Sequence, residues 1–410
     1  MKIADMFEVL VGPDAPVALR AYDGSEAGPS DPVATIDLRT PQALQYLVTA
    51  PSDLGIARAY VTGNLELEGD IHAGIVALAG VDLSQIPLAK KAEMLRAVGW
   101  KNLRRPPIPP QEVRMTGLLR HTKSRDAAAI SHHYDVSNAF YRQLLGPSMA
   151  YTCAIFPTPT ATLDEAQAYK FDLVCRKLGL EPGMRLLDVG CGWGGMVVHA
   201  AREYGVQVIG VTLSRQQADY GAKLVAELGL GDRAEVRYGD YRDVPETGFD
   251  RISSIGLTEH IGHRNYPAYF SFLRSKLLPE GRLLNHTITR ADSSHDAKAG
   301  GFINRYIFPD GELVAPARVM GPMNEAGFEI QHEENIRLHY AETLRCWSEN
   351  LMSDWDAAVA EVGLQKARTW KLYLAVSRAG FTLNKIQLHQ FLGTATTVDG
   401  RSGYPWRHTF

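Results

Sequence analysis

The apolar positions of this chain change period near residue 165. Beyond that point, segments with helical spacing alternate with short apolar runs. Helices are predicted over Leu163 to Leu178, Gly194 to Tyr204, Gln216 to Leu228 and Tyr266 to Leu277. Between them, Arg185 to Val189, Val206 to Thr212, Ala234 to Tyr238, Arg251 to Ile255 and Gly281 to Thr287 read as strands. Strands separated by helices predict an α/β fold with a doubly wound, Rossmann-like parallel sheet. Before this, Val17 to Tyr22 and Val33 to Leu38 are β-like and Pro41 to Thr49 is helical. Ile56 to Leu78 follows, broken at Gly63 and Gly69, so the N-terminal part reads as a smaller α+β domain.

Lys90, Lys91, Arg96, Lys101, Arg104 and Arg105 lead into Pro106 to Pro110, too rich in proline for helix or central strand. The predicted organisation is therefore an N-terminal α+β domain over 1–105, a basic, Pro-rich linker over 106–125, and the doubly wound domain over 126–410. Arg114, Arg120, Lys123 and Arg125 continue the positive charge beside Met115, Leu118 and Leu119, with Trp100 nearby. Such a stretch is either a solvated linker or a surface for anionic lipid headgroups, where each basic residue contributes about 1 kcal/mol.

Composition narrows the classes. Lys plus Arg number 43 against 46 Asp plus Glu, which gives no general argument for nucleic-acid binding. Cys153, Cys175, Cys191 and Cys346 are far apart, with neither disulfide nor zinc spacing, and no metal is expected. The N-terminus, with Lys2, Asp5 and Glu8, is unlike a signal peptide, and no run approaches the roughly 20 apolar residues of a spanning helix. A cytoplasmic protein in peripheral contact with the inner membrane face is expected.

Leu186 to Gly195 is a strand entering a glycine-rich turn and then a helix, where backbone passes close to a bound adenosyl ligand. Gly190, Gly192 and Gly195 also satisfy GxGxxG, so a dinucleotide-binding dehydrogenase is an alternative to a methyltransferase. Asp188 favours a cationic ligand over a pyrophosphate. The second strand ends Gly210-Val211-Thr212-Leu213-Ser214, without the acid expected on a NAD ribose, although many methyltransferases carry an acid there too.

Read together, His132-His133-Tyr134-Asp135, Tyr151-Thr152-Cys153-Ala154, Leu187 to Gly195, Gly210 to Ser214 with Gln217, Glu259-His260-Ile261-Gly262, His286-Thr287-Ile288 and Tyr306-Ile307-Phe308-Pro309 occur in the order and approximate spacing of the cyclopropane fatty acid synthase family. That family includes the mycolic acid cyclopropane synthases and related acyl-chain methyltransferases, some of which form 10-methylene branches. The resemblance covers about residues 120 to 395, and residues 1 to 100 resemble more loosely the extra N-terminal domain of its phospholipid-acting branch. It implies S-adenosylmethionine held by Tyr151, Thr152, the loop with Asp188, Gly190, Gly192 and Gly194, then Thr212, Leu213, Gln217, Asp240, Tyr241 and Ile255. It also implies a bicarbonate ion held by Cys153, Gly256, Glu259, His286, Ile288 and Tyr340, with Cys153, Glu259, His286 and Tyr340 as the catalytic set. Read singly, Cys153 could be a small core residue, His286 a satisfied core histidine and Glu259 a cap for the helix near Asn265.

The implied reaction adds a one-carbon unit to the cis double bond of a phospholipid-bound acyl chain, giving a cyclopropane or a methylene branch. The implied partners are the phospholipid surface, the unsaturated chain, a second copy in a homo-oligomer and, for the branched product, a flavin- or nicotinamide-dependent reductase. Phe156, Tyr269, Phe270, Phe302, Tyr306, Phe308 and Trp347 are candidates for lining the acyl channel. Departures from the family pattern are Thr258, where an aromatic is common, Asn285, where an aliphatic is common, and Ser377, where several members carry cysteine. The rival reading is a small-molecule N-methyltransferase on the same core.

Overall fold

The computed structural model describes residues 1–81, 86–113, 136–294 and 300–410. The family-like segment His132 to Asp135 and the basic positions Arg114, Arg120, Lys123 and Arg125 lie outside these residues.

Two compact units are present. The first takes the described residues up to 113 together with Gly300–Pro309 and Asp354–Leu383; the second takes 136–294 together with Asp310–Ser353 and Asn384–Phe410. The chain thus returns twice to its first unit from within the span 126–410 that sequence reading assigns to one domain.

In the first unit, strands β1 (Val17–Ala21), β2 (Glu26–Ala27), β3 (Ala34–Leu38) and β4 (Leu65–Gly69) form a sheet in the order β2-β1-β3-β4. β1 and β3 are parallel and the outer pairs antiparallel. The returning helix Leu364–Thr382 is fixed by Arg368, whose guanidinium donates to Tyr60 O at 2.8 Å, Leu65 O at 3.0 Å and Glu66 Oε2 at 2.7 Å. Arg58 and Glu112 form a second ion pair, with a buried carboxylate, at 2.7 Å. The basic residues Lys90, Lys91, Arg96 and Lys101, which precede the expected linker, stand on a helix, Leu88–Asn102, kinked at Gly99.

In the second unit, β5 (Arg185–Val189), β6 (Gln207–Thr212), β7 (Ala234–Tyr238), β8 (Phe249–Ile255), β9 (Leu277–Arg290), β10 (Phe328–Asn335) and β11 (Ile386–Ala395) form one sheet in the order β10-β11-β9-β8-β5-β6-β7. The strands from β7 to β9 are parallel; β11 and β10 add antiparallel to β9. Apolar side chains cover both faces of the sheet, as a doubly wound fold requires. The helix Leu163–Leu178 starts at a reciprocal cap, where Thr162 Oγ1 accepts from Glu165 N and Glu165 Oε2 accepts from Thr162 N at 2.8 Å. It stops at Gly179, left-handed with φ 62°.

Candidate active site

Strand order reverses beside β5, whose neighbours are β6 on one side and β8 on the other, and in such sheets ligands bind in the crevice beyond the carboxyl ends of the strands. A cleft opens there, enclosing about 930 Å³ including its mouth. Tyr151, Thr152, Asp188, Gly190, Gly192, Thr212, Leu213, Gln217, Tyr241 and Ile255, which the resemblance implies for S-adenosylmethionine, line it, and so does Gly256, implied for bicarbonate. The turn after β5 needs Gly190 at φ 77°, a conformation that would strain a side chain. Two predicted positions are not in the lining. Gly194 starts the helix Gly195–Tyr204 at φ 88°, and a Cβ there would meet Val236 at 3.3 Å. Asp240 instead accepts from its neighbour Arg242, at 2.7 Å to Oδ1.

The helix Leu163–Leu178 holds the other wall. Gln167 Nε2 donates to Ala150 O at 3.3 Å and Thr152 O at 2.9 Å, and Lys170 Nζ donates to Thr152 Oγ1 at 2.9 Å. Lys170 is fully buried and lines the cleft, a role the sequence did not reveal. Asp188 is the only carboxylate among the described lining residues; its Oδ1 accepts from Ser253 Oγ, across on β8, at 2.6 Å. Burial pushes Asp188 up to about 6, against the Ser253 bond and the Lys170 charge. Burial likewise pulls Lys170 down to about 7, against Cys153 and Asp188.

The directions of these two shifts give a pH dependence for a cationic ligand. As pH rises through about 6 Asp188 gains negative charge, and through about 7 Lys170 loses its positive charge. Both changes favour a sulfonium. The affinity for S-adenosylmethionine relative to its neutral-sulfur product should therefore rise by roughly tenfold from pH 5.5 to 8 (~2.5 pH units). Calorimetric titration of both ligands checks this, and a constant ratio would remove these two groups from cofactor recognition.

Behind this cleft stands a second group of polar side chains. Glu259, on the short helix Thr258–Ile261, accepts from Ile288 N at 2.7 Å through Oε1. It does not cap the helix near Asn265. His286 lies two residues before Ile288 on β9, and its carbonyl accepts from Gly256 N at 2.8 Å. Glu259 Oε2 and His286 Nε2 are both buried without a hydrogen-bond partner, unlike satisfied core groups. Burial raises the Glu259 carboxyl to about 7 and holds the His286 imidazole well below its ordinary value. The Cys153 thiol, driven far up by burial, donates to Ala154 O at 3.0 Å, while Ala154 N donates to Thr343 Oγ1 at 3.0 Å. Thr343 shares the helix Arg337–Ser353 with Tyr340 and Trp347; Trp347 meets Tyr340 and Tyr151 with ring centroids 6.0 and 5.3 Å apart. Glu259 Oε2 and His286 Nε2 are thus two buried polar atoms left open, of the kind that a small oxyanion carrying one proton, such as bicarbonate, can satisfy.

The aromatic candidates divide. Tyr269 and Phe270 are core residues, the Tyr269 hydroxyl lying 2.6 Å from Ser254 Oγ. Phe302, Tyr306, Phe308 and Ser377 belong to the first unit. Thr258 and Asn285 are both fully buried and touch, Asn285 Nδ2 donating to Thr258 Oγ1 at 3.4 Å.

Comparison with known proteins gives a consistent set of likenesses. The family model for mycolic acid cyclopropane synthetase matches residues 121–391. A probable fatty acid methyltransferase of Mycobacterium tuberculosis is 51% identical over 99% of this chain and 98% of its own length. The cyclopropane-fatty-acyl-phospholipid synthase of Escherichia coli is 33% identical over 90% of this chain and 89% of its own. Among solved structures, mycolic acid cyclopropane synthase CmaA1, complexed with SAH and CTAB, aligns with a TM-score of 0.60 at 35% identity, covering 65% of this chain and 97% of the other.

Proposed function

This chain belongs to the mycolic acid cyclopropane synthetase family, and from that membership we propose that it adds a one-carbon unit at the cis double bond of an unsaturated acyl chain carried by a membrane phospholipid. It is an S-adenosylmethionine-dependent methyltransferase acting on fatty acyl lipids. The observation that carries the finer reading is the pair of open polar atoms, Glu259 Oε2 and His286 Nε2, buried behind the cofactor cleft.

When bound, S-adenosylmethionine supplies an electrophilic methyl group and bicarbonate a base for the proton that leaves. An isolated alkene is a weak nucleophile, and water would trap the cation formed on it. The protein's part is therefore to orient and to keep water out. Tyr151, Thr152, Asp188, the turn Gly190 to Gly192, Thr212, Leu213, Gln217, Tyr241 and Ile255 would hold the methyl donor, with Asp188 facing its positive charge. His286 and Tyr340 would donate to bicarbonate, Cys153, Gly256 and Ile288 would border it, and Glu259 would accept its proton. Trp347, in ring contact with Tyr151 and Tyr340, would help keep the site dry.

A phospholipid substrate calls for a membrane-facing surface. Leu88, Leu95 and Trp100 are 83%, 57% and 90% exposed on the helix that also carries Lys90, Lys91, Arg96 and Lys101. Apolar side chains among lysines and arginine suit an anionic bilayer surface. Among the described residues no helix is long and apolar enough to cross a membrane. Contact would be peripheral, at the inner membrane face.

The test is lipid mass spectrometry after incubation with S-adenosylmethionine bearing a deuterated methyl group and vesicles of oleoyl phospholipid. Gain of one labelled carbon on the acyl chain is expected. No gain, with the cofactor bound and a soluble amine methylated instead, would move the assignment to a small-molecule N-methyltransferase.

The product is a ring if the proton leaves the new methyl group, and a methylene branch if a hydride shifts first; a separate flavin- or nicotinamide-dependent reductase would then saturate the branch. Thr258 and Asn285, polar where the family pattern is aromatic and aliphatic, adjoin Glu259 and His286 in the chain and touch each other, which favours the branch. Asn285 Oδ1 is buried without a partner while Nδ2 donates to Thr258 Oγ1, so Asn285→Leu relieves one stranded atom and strands another, and its stability should lie within about 1 kcal/mol of the parent, read by thermal unfolding. The same lipid assay on Asn285→Leu should show a larger ring fraction, and an unchanged product ratio would remove Asn285 from product control.

A further inference from the structure

His286 is one of three residues in a row across the sheet. The register places Gln390 of β11 opposite His286 of β9, and Glu334 of β10 opposite Gln390. Lys177, near the end of the helix Leu163–Leu178, reaches this row and is about as buried as Gln390 and His286, each 1% exposed. Its Nζ donates to Gln390 Oε1 at 2.7 Å and pairs with Glu334 Oε2. Gln390 Nε2 is 3.2 Å from His286 Nδ1.

We propose that Lys177 and Gln390 are positioning residues that lock His286 in the tautomer with its hydrogen on Nε2, making the ring a donor at its buried, unpartnered nitrogen. The argument runs from the ammonium inward. An ammonium has three donors and no acceptor, so the amide atom facing Lys177 must be the oxygen. The amide nitrogen then faces the ring. Because that NH₂ group only donates, Nδ1 must accept, and the single hydrogen of a neutral imidazole falls on Nε2. Nε2 is the buried atom without a protein partner. Burial, with Lys170 and Lys177 adding to it, keeps His286 neutral. Without Lys177 the amide could turn over, present its oxygen to Nδ1 and draw the hydrogen there, leaving a lone pair where a donor is needed.

The purpose assigned to this lock rests on the reading of His286 as a donor to bicarbonate; the tautomer itself is measured without turnover. Protein labelled with ¹⁵N-histidine, with His286 assigned by comparison with His286→Gln, should show a protonated Nε2 and an unprotonated Nδ1 near neutral pH. A hydrogen on Nδ1, or an imidazolium, in the unaltered protein would overturn the proposal even if no variant folds. Lys177→Met should bring up the Nδ1-protonated form and lower kcat severalfold with KM for S-adenosylmethionine unchanged. Lys177→Arg should restore the Nε2 form and most of the rate. An unchanged tautomer in Lys177→Met would overturn the role of Lys177. Full turnover by His286→Gln alongside the expected spectra would overturn instead the reading that the lock serves catalysis.

Discussion

Glu259→Gln is expected to lower turnover by on the order of 10²- to 10⁴-fold, the usual reach of a positioned acid–base group, while S-adenosylmethionine still binds. The amide keeps an oxygen for Ile288 N, so the local hydrogen bond survives, but it can no longer take up a proton. Retention of full activity would remove Glu259 from the mechanism. The same variant carries a signature in stability. Its carboxyl, raised by burial from 4.5 to about 7, holds a proton more tightly in the native protein than in the unfolded chain. Its stabilising contribution is therefore fully present below 4.5 and is lost as pH rises through about 7. Above that pH the buried charge costs up to about 3 kcal/mol, and glutamine carries no charge. Thermal unfolding at pH 8 should find the variant more stable than the parent, with the gap closing toward pH 4.5. A variant less stable at pH 8 would mean that the charge is compensated by a partner.

Arg368→Leu should be the most damaging single change in the first unit. The guanidinium is 9% exposed, holds the carbonyls of Tyr60 and Leu65 and the Glu66 carboxylate, and lies 4.1 Å from the centre of the Tyr60 ring. Removing it takes a donor from each of these acceptors, leaving Gly63 N on Tyr60 O and Arg39 beside Glu66 as the partners that remain. Breaking a buried ion pair from one side costs about 3 kcal/mol or more, which corresponds to a fall in Tm on the order of 10 °C for a unit of this size. Scanning calorimetry checks the fall, and limited proteolysis should cut first within the first unit. A Tm within about 1 °C of the parent would show the contacts to be dispensable.

Where local signals were strong, the fold was legible. The helix Leu163–Leu178 carries its own cap at Thr162 and Glu165 and its own stop at Gly179, and it forms over the predicted span. β5 to β8 are short runs between turn signals and form within a residue or two of expectation. β4 was missed because Leu65 to Gly69 lies between two glycines and gains its partner only from β3, far back in the chain. The antiparallel pair β10 and β11 was also missed. Glu333 and Glu334 give the edge strand β10 a polar, partly exposed sequence, and His389 and Gln390 on β11 are polar positions that only the assembled sheet makes interior. The site divides in the same way. The glycine turn, Asp188 and the Glu259 and His286 motifs stand out locally, whereas Lys170 and Lys177 do not. A lysine on an amphipathic helix reads as solvent-facing, and what buries these two comes from strands and loops distant in sequence. The helical setting of Lys90 to Lys101 was hidden by the neighbouring prolines.

The interleaving of the first unit has a consequence in time. Its opening segment leaves the ribosome early, but the helix carrying Arg368 belongs to Asp354–Leu383, roughly 270 residues later. At a synthesis rate of about 5 to 20 residues per second, the sheet β1 to β4 must wait some 15 to 50 s for its closing helix. During that interval Tyr60, Leu65 and Glu66 lack the side chain that later joins them. Through most of translation these positions therefore await their partner, and rare codons downstream of residue 113 would lengthen that wait.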